Sequence, residues 1–184
     1  IAFLSLFLYS CAQEYRLEGG PKDNEKPKIK HSIPKNKSVN FKGDRLIIEF
    51  DEFIKVNALA SEILINPPLK EKPKLKYNNK RIEILFQEEL RKNTTYTINF
   101  GTAISDITEG NKADDLNFVF STGEEIDSLT MSGNIKDAFT HQAEKDIFVM
   151  LYGGPYDSIP YVEKPHYLTK TDVNGNFKFN NLSA

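Results

Sequence analysis

From Pro27 onward, apolar residues recur with a period of two rather than 3.6, the mark of strands with two unlike faces. Ile29, His31 and Ile33 alternate with Lys28, Lys30 and Ser32. Leu46, Ile48 and Phe50 alternate with Arg45, Ile47 and Glu49, and Ile63 and Ile65 follow. The same pattern returns in Ile82, Ile84 and Phe86, in Tyr96, Ile98 and Phe100, and in Leu116, Phe118 and Phe120. Turn-forming groups separate these runs: Pro34-Lys35-Asn36, Lys42-Gly43-Asp44, Asn66-Pro67-Pro68, Asn78-Asn79 and Glu109-Gly110-Asn111. Residues 53–62 have room for one helical turn. Short alternating strands joined by such turns predict an antiparallel β-sandwich.

The N-terminus follows another pattern. Ile1 to Ser10 is apolar and ends at Cys11, the only cysteine, after which residues 12–28 are polar. The run has the length of a signal-peptide apolar segment and is too short to span a bilayer. Leu8-Tyr9-Ser10-Cys11 resembles a lipobox, with Leu three residues before the Cys and a small residue just before it. That resemblance implies a diacylglyceryl thioether and an acylated amine on Cys11, and two or more chains anchor stably where one does not. Tyr9 is bulkier than the usual occupant. Ser10-Cys11-Ala12 also fits ordinary signal cleavage after Ala12, and a buried N-terminal strand with a core Cys is a third reading. Residues 12–26 are expected to form a flexible tether.

Composition narrows the function classes. A formal net charge of −2 and 27% charged residues suit a soluble globular body. No basic stripe interleaved with aromatics speaks for nucleic acid. One cysteine excludes an intramolecular disulfide.

Leu90, Thr94 and Tyr96 resemble the corner leading into a late strand of Ig-like and fibronectin-like sandwiches, where the Tyr hydroxyl bonds back to upstream backbone. More broadly, residues 27–123 resemble the bacterial Ig-like domain of the S-layer type (SbsA-like). The matching pieces are Lys28-Ile29…Ser32-Ile33-Pro34, Leu46 to Ile54, Leu90…Asn93 to Ile98, Ile104-Ser105-Asp106…Gly110-Asn111, and Phe118 to Gly123. Phe53 stands where that family usually carries Pro. Residues 124–128 read as a short acidic connector. Residues 129–184 resemble a carboxypeptidase regulatory-like (transthyretin-like) sandwich, through Leu129 to Ala138, Ile147 to Tyr152 and Leu168 to Leu182, with Asn174-Gly175 as a hairpin turn. That family continues into another strand beyond the point matching Ala184. The expected fold class is therefore all-β: an Ig-like antiparallel sandwich followed by a second, incomplete β-sandwich.

Candidate chemistry is sparse. His31, His141 and His166 share no metal-ligand spacing, and no metal site is assigned. Asp51-Glu52 offers paired carboxylates, which the resemblance places at a strand corner. Asp106, Glu109, Asn111, Asp114 and Asp115 form an acidic loop, and Asp172-Val173-Asn174-Gly175 resembles the start of a calcium loop. Calcium is thus the one cofactor worth weighing, although neither stretch has EF-hand spacing. Asp127-Ser128-Leu129 and Asp157-Ser158-Ile159 resemble an Asp-Ser-aliphatic O-glycan acceptor, which makes Ser128 and Ser158 candidate modified residues. Gly153-Gly154-Pro155-Tyr156, with Tyr152, Tyr161 and Tyr167, could offer sugar-stacking rings or simply pack. No catalytic residues are assigned. The expectation is a non-enzymatic cell-envelope lipoprotein, anchored through Cys11 and placed at the outer membrane. Its modules serve as spacer, adhesin or scaffold. The alternatives are a glycan- or partner-binding subunit, or an accessory to an enzyme lying beyond the C-terminus.

Overall fold

The computed structural model describes Gly20, residues 22–113 and residues 116–184. Cys11 and its apolar run, most of the tether, and Asp114 and Asp115 lie outside the described residues. The fold is all-β with antiparallel sheets, as the period of two predicts. One sheet has the order β1 (Ile29–Ile33), β2 (Arg45–Phe50), β6 (Arg81–Leu85), β5 (Lys74–Asn78). The other runs β4 (Leu64–Asn66), β7 (Thr95–Asn99), β9 (Asn117–Ser121). A small ribbon pairs β3 (Ile54–Val56) with β8 (Ile104–Asp106), and α1 (Leu59–Glu62) is the single turn foreseen between strands.

The core forms where the alternating sets of the two sheets meet. Leu46, Ile48, Ile82, Ile84, Ile98, Phe100, Phe118 and Phe120 are fully buried in one cluster. Burying each such side chain contributes about 1.5–3 kcal/mol before chain entropy is counted. Phe120 sits at the centre, 4.8 Å from the Phe41 ring edge-on and 5.5 Å from Tyr96 in a stacked pair. Phe86 and Phe118 close around it at 5.9 and 6.5 Å.

The first predicted strand departs from its pattern. A bulge between Ile29 and His31 shifts the register, so Ile29 pairs with Phe50 but His31 pairs with Glu49. One extra residue exchanges the two faces of a strand. Ser32 therefore turns inward and is buried, while Ile33 is 54% exposed. Three strands were absent from the reading of the sequence. β3 and β8 have three residues each, too few to show a period. β5, Lys74-Leu75-Lys76-Tyr77-Asn78, is a charged edge strand with only Leu75 partly buried.

Residues 129–184 form two separate ribbons. β10 (Leu129–Asn134) pairs with β13 (Asn176–Leu182), and β11 (Phe148–Leu151) pairs with β12 (Tyr167–Lys170). A short helix, α2 (Ile159–Val162), interrupts the segment. The Asn174-Gly175 turn does form. Gly175 N–H donates to the Asp172 carbonyl, and Asp172 N–H donates to the Asn176 carbonyl. It does not make a hairpin, because the strands on its two sides belong to different ribbons. Gly175 holds a φ of +74°, and a Cβ there would lie 2.3 Å from the Ile135 carbonyl oxygen. That close crossing, with Ile135 N–H bonded to the Gly175 carbonyl at 2.8 Å, holds the turn in place.

Candidate functional site

The Tyr96 corner is present. Its hydroxyl accepts a hydrogen bond from the Arg91 backbone N–H at 3.0 Å, and the side chain is 1% exposed. Burial pushes the phenol pKa up, while the bond from Arg91 works in the opposite direction. This is structural chemistry: the hydroxyl satisfies a backbone donor at a strand entry.

The acidic turns use their carboxylates in the same way. Asp106 is 2% exposed and accepts from the backbone N–H groups of Glu109, Gly110 and Asn111 at 2.6, 2.8 and 2.9 Å. Burial opposes its charge, yet these donors together hold the carboxyl below the usual range. Asp137 accepts from the Thr140 and Phe139 N–H groups, and Asp172 from those of Asn176 and Asn174. Both carboxyls are held low, each chiefly by the first of its named donors. In the Asp106 and Asp172 turns both carboxylate oxygens accept from amides of their own turn, and in the Asp137 turn Oδ1 does. Among the described residues no group of three His, Cys, Asp or Glu side chains is placed to hold a metal ion.

Asp51 and Glu52 stand at the corner after β2. Asp51 accepts from the Lys28 N–H at 2.9 Å and its carbonyl takes the Lys80 ammonium, which staples the corner to the entering strand. Glu52 is pushed up by burial and then by the neighbouring Asp106, Asp51, Asp23 and Glu109 charges. His31, His141 and His166 are all exposed and belong to different parts of the chain. His166 lies over Gly153, whose added Cβ would come within 2.5 Å of the ring. Tyr156 and Tyr161 are 73% and 90% exposed, and no ring pair among the described residues includes Tyr152, Tyr156, Tyr161 or Tyr167.

Ser128 and Ser158 are both exposed. Ser128 directly precedes β10, and Ser158 is the N-cap residue of α2 with no side-chain cap bond. The clefts are open, and one of about 260 Å³ is walled mainly by Ile63, Ile65, Leu69 and Leu75. A cleft of about 720 Å³ lies between the first sandwich and the C-terminal ribbons, with Glu62, Asn99, Lys112, Lys170 and Asp172 on its walls. Charges of both signs line it, and no aromatic ring does. No helix among the described residues is long and apolar enough to cross a membrane.

The profile of the bacterial Ig-like domain matches residues 23–122, more than half of the 184 residues. The chain belongs to that family. This bacterial Ig-like chain, with its Tyr96 corner and carboxylate-pinned turns, has the hardware of a structural module, a domain type that carries no catalytic machinery of its own. Its Phe53, at the position where Pro was expected, is 54% exposed beneath the Lys80 ammonium at 4.5 Å. None of the curated proteins compared matches the chain. Among solved structures it is similar to an L,D-transpeptidase from Mycobacterium smegmatis, with 10% identity and a TM-score of 0.37 over 69% of this chain and 61% of that one. It is also similar to the S-layer protein rSbsC(31-844), with 14% identity and a TM-score of 0.37 over 81% of this chain and 18% of that one. The N-terminal part of the bacterial S-layer protein SbsC gives 13% identity and a TM-score of 0.38 over 84% and 43%. The chain thus spans less than two thirds of each of these structures.

Proposed function

We propose that the chain is a non-enzymatic cell-envelope lipoprotein whose bacterial Ig-like module works as a spacer or assembly scaffold. The observation that carries the scaffold reading is the use of polar chemistry inside the fold. Tyr96, Asp106, Asp137 and Asp172 each engage their own backbone. Family membership supports the same reading. The lipid anchor rests on the Leu8-Tyr9-Ser10-Cys11 pattern between an apolar run and a polar stretch. Residues 129–184 serve as a second module of the carboxypeptidase regulatory-like kind, joined through 124–128. Ser128, at the end of the connector, and Ser158, in the second module, are the candidate O-glycan positions, both open to an enzyme.

The test is mass analysis of the mature protein from envelope membranes, beside a Cys11→Ala variant. The anchored protein partitions into detergent with acyl mass on Cys11, and the variant stays in the aqueous phase. A mature N-terminus at Gln13 without acyl mass overturns the anchor. A second reading, binding of a partner or glycan, is favoured by Tyr156 and Tyr161, which stand in solvent without ring partners. A glycan array would separate it, since a spacer gives no signal.

A further inference from the structure

The outer face of the β4-β7-β9 sheet is unlike that of its opposite. In the registered rungs Ile65–Ile98–Phe118, side chains point to the core, so Leu64, Asn66, Thr95, Thr97 and Asn99 point outward. None of these is charged. The outward positions of β2, β6 and β5 include Arg45, Glu83 and Lys76, as befits a solvated face. Yet Thr95 and Thr97 are 3% and 9% exposed, so something covers them.

The cover is the C-terminal segment, seated by side-chain amides. Asn66 meets the Leu168 backbone twice. Its Nδ2 donates to the Leu168 carbonyl at 2.8 Å, and its Oδ1 accepts the Leu168 N–H at 2.7 Å, as a neighbouring strand would. Asn181 donates from Nδ2 to the Asp127 carbonyl at 2.8 Å and accepts from the Thr97 hydroxyl at 3.4 Å. The linking chain is itself pinned at both ends. Thr122 N–H bonds to the Thr94 carbonyl at 3.0 Å, and Asp127 N–H to the Thr95 hydroxyl at 2.9 Å. Little chain is left free to swing, and the docking groups are held at high effective concentration.

We propose that Asn66 and Asn181 form an amide clamp, which makes residues 124–128 a fixed elbow rather than a flexible linker. The Thr95–Thr97 part of the uncharged β4-β7-β9 face is the seat that the clamp holds closed. The inference depends on neither lipidation nor the scaffold reading.

The test measures the distance between spin labels at Lys76→Cys and Thr130→Cys in the full chain carrying Cys11→Ser. Both positions are exposed, one on β5 and one on β10. The labelled protein is expected to give a single narrow distance distribution. Adding Asn66→Ala and Asn181→Ala broadens it and speeds exchange of the Leu168 amide by about fivefold or more, the factor that follows from losing roughly 1 kcal/mol of hydrogen bonding. Should the double variant fail to fold, Asn66→Asp serves in its place. It keeps the shape and the acceptor for the Leu168 N–H but sets a carboxylate oxygen against the Leu168 carbonyl, and the distance distribution is expected to broaden. A broad distribution before the amides are removed overturns the clamp. So does a distribution that stays narrow after they are removed.

Discussion

The two regions of this chain are built from the same alternation and end with opposite burial. Between β1 and β9 the apolar faces of two sheets close on each other, and Phe50, Phe100, Phe118 and Phe120 disappear from solvent. Between β10 and β13, Leu129, Met131, Phe148 and Met150 remain 46–53% exposed, and Phe179 and Leu182 are the buried apolar side chains. The edges differ too. β5 carries Lys74 and Lys76, which discourage pairing with another chain, while β10 and β11 carry no charge. A two-stranded ribbon is marginal by itself. The first region has its stability within it, and the second draws stability from being seated on the first. A repeated strand pattern predicts strands, but only pairing into facing sheets turns them into a core.

That contrast can be broken at graded points. Phe120→Ala removes the hub of the aromatic cluster and should cost about 3–5 kcal/mol in urea unfolding. Phe148→Ala, the same deletion on a half-exposed ribbon, should cost well under half of that. Tyr96→Phe leaves the Arg91 N–H without its acceptor and should cost about 1–3 kcal/mol, seen as a lower denaturation midpoint with an unchanged slope. Gly175→Ala forces a Cβ against the Ile135 carbonyl and a side chain into positive φ, about 1–3 kcal/mol of strain. Because the strain falls in the second region, faster amide exchange in β10 and β13 should exceed any change in β2 or β7.

Acid gives a smaller effect with a definite sign. The carboxyls of Asp106, Asp137 and Asp172 lie lower in the folded chain than in the unfolded one. Their stabilisation is therefore complete above the unfolded value of about 3.9 and is lost as pH falls through the lowered folded values. Glu52 is held high, so its protonation relieves strain as pH falls and partly offsets that loss. Replacing Asp106 with Asn should flatten the acid limb of a stability profile below about pH 4.

Much of the first region was legible in the sequence, because β2, β6, β7 and β9 each put bulky apolar groups at every second position over five or six residues. The Tyr96 corner was legible as a spacing. The bulge in β1 was not, since one inserted residue exchanges faces without changing composition. The splayed turn after Asp172 was not either: Asn-Gly specifies a local bend, while the partner of each flanking strand is chosen by distant residues. The seat for the C-terminal segment left one readable trace, the uncharged Thr95-x-Thr97-x-Asn99 face, beside charged outer faces elsewhere. Asn66 and Asn181 left none, because an asparagine before a Pro-Pro turn or near the end of a strand reads the same whether or not it clamps anything.

Native-state hydrogen exchange, followed residue by residue, bears most directly on the difference between the regions. The β2, β6 and β7 amides should exchange only through global unfolding, with one shared free energy that falls with urea. Those of β10 and β11 should exchange through a separate opening of lower free energy that hardly responds to urea. A single common free energy for all of these strands would contradict the account.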